Sequence, residues 1–205
     1  MSFLQEMDKA FVAGTYNRFP VSIVKGKGST VQDENGKSYI DMGSGIGVTA
    51  FGAGDPEWVA AVTAQLTTLG HTSNLYYTEP CAKLAKLLCE KTGMKKVFFS
   101  NSGAEANECA IKVARKYGEL NKGAEYTTII TLKDSFHGRT LTTLAATGQD
   151  NFHKDFLPLT EGFDYVEANN IDDLIEKGVR IRVIGDKTPL EEALKNKIQK
   201  LEEKS

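Results

Sequence analysis

The sequence has no long apolar run. Nothing in it approaches the roughly 18 consecutive apolar residues that a membrane-spanning helix requires, and its first eight residues, Met1-Ser-Phe-Leu-Gln-Glu-Met-Asp8, carry acids where a secretory signal would carry bases. These features imply neither insertion in a membrane nor export, and point to the cytoplasm. Cysteine is scarce and unpaired: Cys81, Cys89 and Cys109 are an odd number with no CxxC spacing, which argues against a disulfide framework and a zinc site and fits a reducing compartment. Cys81 falls on the apolar stripe of an expected helix, so it reads as a small buried hydrophobe. His71, His137 and His153 have no metal-ligand spacing. Charge of one sign is also lacking, because 25 Lys+Arg against 27 Asp+Glu gives 25 − 27 = −2. Without a positive field or a basic run interleaved with aromatics, general nucleic-acid binding is excluded. There is no internal repeat, no low-complexity linker, no GxxxxGK[ST] and no GxSxG, which removes the P-loop and the nucleophile elbow.

What remains is ordinary globular composition, in a chain of 205 residues that is long enough to bury a core without staples. Residues 3–13 suggest a short helix. Val21-Ser-Ile-Val24 and Ser38-Tyr-Ile-Asp41 flank the turn dipeptide Asn35-Gly36, which reads as a hairpin and makes residues 1–54 a small α+β segment. Asp55-Pro56 opens a helix with Val59, Val62, Leu66 and Leu69 at helical spacing, ending at Gly70. A second starts near Pro80, with the stripe Cys81, Leu84, Ala85 and Leu88 and a stop at Gly93. Beyond it the pattern alternates: strand 96–99, helix 104–121, strand 127–131, helix 140–147, strand 163–166 and helix 171–177. Such alternation argues for an α/β layer with parallel strands.

Two stretches could carry chemistry. In Phe98-Phe-Ser-Asn-Ser-Gly-Ala-Glu-Ala-Asn107 an apolar strand passes through a Ser/Gly turn directly into a helix. Ser102 as N-cap, Glu105 completing a capping box and Gly103 permitting close approach would present free amides and a positive dipole end to a phosphate. The same residues would also serve a helix that is merely well capped. The second stretch, Asp134-Ser-Phe-His-Gly-Arg139, follows the next strand at its carboxyl end, where open α/β sheets bind ligands. Phe136 could stack on a flat heterocycle and Arg139 could grip a carboxylate in a bidentate fork, although a core phenylalanine and a solvated arginine fit the same letters. Met42-Gly-Ser-Gly-Ile-Gly47 has GxGxG spacing, with neither a prompt helix nor a ribose-binding acid, so a dinucleotide site is rejected.

Taken together, Ser100-Asn-Ser-Gly-Ala-Glu-Ala-Asn107 and Ser135-Phe-His-Gly-Arg-Thr140 resemble the class III, ornithine-type aminotransferases, which use pyridoxal 5'-phosphate on the fold type I scaffold. Gly45-Ile-Gly-Val-Thr49 and His71-Thr-Ser-Asn-Leu-Tyr76 are most similar to the acetylornithine aminotransferases within that class, and the resemblance covers about residues 3–177. It implies a partial α/β fold of that type, with residues 1–54 as the small segment and 55–177 as the first half of the large, mostly parallel cofactor-binding domain. It implies that Gly103 and Ala104 bind the cofactor phosphate beside Ser102, that Phe136 stacks on the pyridine ring next to His137, and that Arg139 holds the substrate carboxylate. The implied reaction exchanges an amino group between N2-acetylornithine and 2-oxoglutarate, a step of arginine biosynthesis, in a homodimer.

Departures accompany the resemblance. Phe51-Gly-Ala-Gly-Asp-Pro56 lacks the histidines the family often has there. From Gly178 the family pattern ends, before the segments that supply the acid for the ring nitrogen and the Schiff-base lysine, so no catalytic residue is assigned and the chain is expected to be inactive alone. Lys133 is the nearest lysine and reads as a strand-end charge. Residues 178–205 read as an unrelated strand and capped helix. Their Val179-Arg-Ile-Arg-Val-Ile-Gly-Asp-Lys-Thr-Pro189 resembles a stretch of cis-prenyltransferases of the undecaprenyl diphosphate synthase type, without that family's diphosphate-binding motifs. A cis-prenyltransferase relative and a non-catalytic phosphate-binding fragment are therefore the alternatives. Acetylornithine, ornithine, succinylornithine and 4-aminobutyrate all stay open as amino donor.

Overall fold

The computed structural model describes residues 2–124 and 126–177. The strand and helix expected after Gly178, with the prenyltransferase-like stretch, lie outside the described residues. The chain divides into two compact units at Lys83/Leu84.

In the first unit, Ser2 caps helix α1 (Phe3–Phe11) through a reciprocal capping box with Gln5. Strands β1 (Ile23–Lys27), β2 (Thr30–Asp33) and β3 (Ser38–Ile40) form an antiparallel sheet in that order. This corrects the expected hairpin. Ser38–Ile40 pairs with Thr30–Gln32 across the Asn35-Gly36 turn, not with the segment around Ile23, which pairs with β2 around Gly28-Ser29. The extra strand is fixed by two turns. Gly28 takes φ +57, suiting a two-residue hairpin connection. In the other turn the Asp33 carboxylate accepts from the Asn35 amide at 2.9 Å, the Lys37 amide at 3.0 Å and the Tyr39 hydroxyl at 2.9 Å. Burial pushes the Asp33 carboxyl upward, but the Tyr39 hydroxyl and the two amides outweigh it and hold it below its usual range.

The glycine stretch forms α2 (Ser44–Gly47), a single turn in which Gly45 and Ile46 are left-handed at φ 59 and 58, unlike the strand-to-helix turn of a dinucleotide site. Helix α3 (Pro56–Leu69) starts where Asp55 accepts from the Trp58 amide at 2.8 Å with Pro56 in the first turn. Helix α4 (Glu79–Thr92) stops as Gly93 turns left-handed at φ +74. The stripes are where the spacing put them, yet Val59, Leu66, Leu69 and Leu84 are exposed. Cys81 is exposed too, contrary to the sequence reading, because its stripe on α4 is left uncovered.

The second unit contains α5 (Gly103–Asn121), β4 (Ile129–Leu132), α6 (Leu141–Ala146), α7 (Asp150–His153), β5 (Phe163–Val166) and α8 (Ile171–Glu176). Strands β4 and β5 are parallel, in register from Ile129↔Phe163 to Leu132↔Val166, as the alternating pattern requires. The expected strand at 96–99 forms no ladder. Its residues are apolar enough, but a strand exists only through its neighbour, and among the described residues none pairs with it. The buried hydrophobic residues Ile111, Leu144, Ala145, Ala146 and Val166 all belong to this unit, together with the buried Thr131, Thr143 and Thr147. Its core therefore lies under α6, next to the loop that joins β4 to α6.

Candidate active site

The start of α5 is a capped turn that leaves main-chain amides unpaired. Ser102 is extended at φ −153, ψ 160, and its hydroxyl oxygen accepts from the Glu105 amide at 3.2 Å, capping the helix. The expected capping box forms only in part. The Glu105 carboxylate accepts most closely from the Ser102 hydroxyl at 3.0 Å and the Asn101 side-chain amide at 3.2 Å. The Asn101 amide, and after it the Ser102 hydroxyl, lower the Glu105 carboxyl below its usual range. Because that hydroxyl has a single proton, a phosphate could take it only in competition with Glu105. The amides of Gly103 and Ala104 make no hydrogen bond among the described residues, as the first turn of a helix dictates. A side chain at Gly103 would meet no heavy atom within 4 Å. The two unpaired donors lie at the positive end of a 19-residue helix, with open space in front of Gly103.

The loop after β4 is held against the start of α5. Gly138 is buried at φ +137, and a Cβ there would lie 2.7 Å from the Cβ of Ala104 and 2.6 Å from the Thr143 hydroxyl oxygen. Only glycine allows so close an approach at that backbone angle. The Asn107 side-chain amide donates to the His137 carbonyl at 2.8 Å, and the Glu108 carboxylate accepts from the Thr140 hydroxyl at 2.5 Å. From the other side the fully buried Thr147 hydroxyl accepts from the His137 amide at 3.0 Å, and the Gln149 side-chain amide donates to the Ser135 carbonyl at 3.0 Å.

Out of this frame Phe136 projects with 57% of its surface exposed. Its ring meets Phe152 edge-on at 5.9 Å. The Arg139 guanidinium lies 4.1 Å from the centre of the Phe152 ring and 5.6 Å from that of Phe136, a cation–π setting that holds its plane. His137 is half-buried and lines a cleft of about 420 Å³ with Asn107, Ile111, Ile130 and Ser135.

Ser102, Gly103, Ala104, Phe136, His137 and Arg139 are thereby drawn together on one edge of the unit. The sequence reading assigned no role to Asn107, Thr147 or Phe152. Asn107 stood inside the quoted motif, whereas Thr147 and Phe152 carry no local signal and become visible only by contact.

The donor set fits a phosphate ester of a flat heterocycle: free amides over open space, an exposed aromatic face and a stacked guanidinium. Lys133, the nearest lysine in sequence, is already paired. The Lys133 ammonium is paired with the Glu167 carboxylate at 2.8 Å, and that hydrogen bond raises its pKa above the usual lysine value. Among the described residues no His, Cys, Asp and Glu cluster could hold a metal, and no helix is long and apolar enough to cross a membrane.

The chain has relatives among known proteins. Residues 11–204 match the family model "Aminotransferase class-III". The chain is similar to the acetylornithine aminotransferase of Haemophilus ducreyi, with 53% identity over 168 residues, which are 82% of this chain and 43% of that protein. It is 50% identical over 171 residues to the acetylornithine aminotransferase of Methanocaldococcus jannaschii, covering 83% of this chain and 43% of that one. The chain thus spans about two fifths of the length of these relatives. Among solved structures, the ornithine aminotransferase of Toxoplasma gondii, described with partial occupancy of pyridoxal phosphate at its active site, superposes with a TM-score of 0.78 at 29% identity over 85% of this chain and 41% of its own. The α/β architecture is that of the fold type I pyridoxal-phosphate aminotransferases.

Proposed function

This chain belongs to the class III aminotransferases, and we propose that it supplies the phosphate cradle, the ring-stacking face and the carboxylate clamp of an acetylornithine:2-oxoglutarate aminotransferase. The observation that carries the reading is the packing of Gly138 on Ala104, which sets the Phe136 loop beside two free amides at the start of α5. When bound there, pyridoxal 5'-phosphate supplies an electron sink for amino-group exchange. Gly103 and Ala104 donate to the phosphate, with Ser102 available once it leaves Glu105. Phe136 covers one face of the ring and excludes water from it, and His137 closes the adjoining cleft. Arg139, its guanidinium oriented by Phe152, takes the carboxylate of the amino donor or of 2-oxoglutarate. The chain is proposed to bind the cofactor without transferring amino groups by itself, because no lysine in the quoted motifs is assigned the Schiff-base role.

The proposal includes a homodimer in the cytoplasm, and a division into an N-terminal segment (1–54), a cofactor-binding part (55–177) and a C-terminal tail (178–205), although the family match runs on to residue 204. It is tested by titrating the chain with pyridoxal phosphate and with inorganic phosphate while following backbone amide resonances. Both ligands are expected to shift Gly103 and Ala104. Saturating ligand that moves neither would overturn the reading.

A further inference from the structure

We infer that Asn107 and Thr147 are positioning residues that set the ring-stacking loop, by clamping the main chain of His137 from both sides. The inference rests on the proposed cofactor site and names what keeps its second half in place. His137 lies between Phe136 and Arg139, so fixing its peptide groups fixes where both side chains leave the backbone.

The clamp is made of one donor and one acceptor. Asn107, on α5, gives a side-chain N–H to the His137 carbonyl at 2.8 Å. Thr147, at the end of α6, takes the His137 amide proton at 3.0 Å. The Thr147 hydroxyl proton is spent on the Thr143 carbonyl at 2.9 Å, which leaves its oxygen free to accept. Thr147 and Thr143 are both fully buried, so the His137 amide has no access to replacement water from that side. Losing the acceptor would leave a donor unpaired inside the protein, a costly state. Asn107 stands at the apolar cleft beside Ile111 and Ile130, where an aliphatic residue would pack as well. Its polarity is explained by the bond it makes to the loop.

Neither residue reaches the amides of Gly103 and Ala104, and this separates positioning from general support. Loosening the clamp should impair stacking on the ring while leaving the phosphate cradle intact. The experiment compares pyridoxal phosphate with inorganic phosphate on the wild-type chain and on Asn107→Leu, Thr147→Val and Thr147→Ser, with melting temperatures recorded for each. Asn107→Leu and Thr147→Val are expected to bind pyridoxal phosphate about 5- to 150-fold more weakly, the range set by one buried group left unpaired. Inorganic phosphate should stay within about twofold, the scatter expected when its own donors are untouched. Thr147→Ser keeps the hydroxyl and should restore wild-type affinity. If Thr147→Val does not fold, Asn107→Leu carries the test, since its site accepts an aliphatic side chain. Equal affinity of wild type and folded Asn107→Leu for pyridoxal phosphate overturns the inference and leaves the cofactor site standing. Parallel weakening of both ligands overturns it as well, by assigning the residues to general support. A wild-type chain that binds neither ligand removes the cofactor site, and the inference falls with it.

Discussion

Replacing Gly103 by valine should separate ligand binding from folding at the start of α5. No heavy atom lies within 4 Å of a Cβ built on Gly103, and its φ is outside the left-handed region. The free protein therefore has both the space and the backbone for a side chain. Valine is a somewhat better helix former than glycine, by a few tenths of a kcal/mol at most near a helix end, so stability should stay within about 0.5 kcal/mol of wild type. Binding should respond quite differently, because the branched side chain fills the volume the phosphate would occupy. Each amide bond to a charged oxygen is worth roughly 1.5–3 kcal/mol. Because Gly103 is exposed, we count one such bond as lost, not two, which is about 10- to 150-fold in affinity. The assay is a titration with pyridoxal phosphate alongside calorimetric melting, with Gly103→Ala as the intermediate case. Wild-type affinity in Gly103→Val would show that no phosphate sits there. A large fall in melting temperature would show instead that the space in front of α5 is not open.

Four further outcomes follow from the same geometry. Gly138→Ala combines a positive φ with contacts of 2.6 and 2.7 Å to Thr143 and Ala104, so calorimetry should show a loss of about 1–3 kcal/mol, and an unchanged melting point would refute the close packing. Because the folded Asp33 carboxyl lies below its usual value, its contribution to stability is present above the unfolded carboxylate range near pH 4 and is lost as pH falls through the folded value. Urea midpoints compared at pH 5 and pH 3 should show that loss, and Asp33→Asn should abolish its share. Mixing the chain with pyridoxal phosphate and reducing with borohydride should label no lysine stoichiometrically, since Lys133 is paired with Glu167; one full label with amino transfer from acetylornithine would contradict this. At the matching position of a full-length relative, Arg139→Lys should lower kcat/KM by roughly 1–3 kcal/mol through loss of the bidentate fork, and unchanged kinetics would return Arg139 to a surface charge.

Local signals in the sequence determined most of the helices and the chemical character of the site. Caps at Asp55 and Ser102 and the stop at Gly93 are read within a turn of the residues they serve, and the structure uses each of them. The two motifs around Gly103 and Phe136 are likewise runs of a few residues whose donors and rings announce their chemistry. What the sequence could not settle depends on partners far along the chain. Thr30–Asp33 alternates too weakly to announce itself, and it is a strand because turns at Gly28 and Asp33 fold it between two others. Residues 96–99 have the composition of a strand, but a ladder needs a second strand that composition cannot provide. The bonds that fix the loop after β4 join His137 to Thr147, ten residues on, and to Asn107, thirty residues back, while Lys133 is paired with Glu167, 34 residues away. Hydrogen bonds of that span are decided by how α5, β4 and α6 pack, and only the tertiary structure brings those partners within 3 Å of one another.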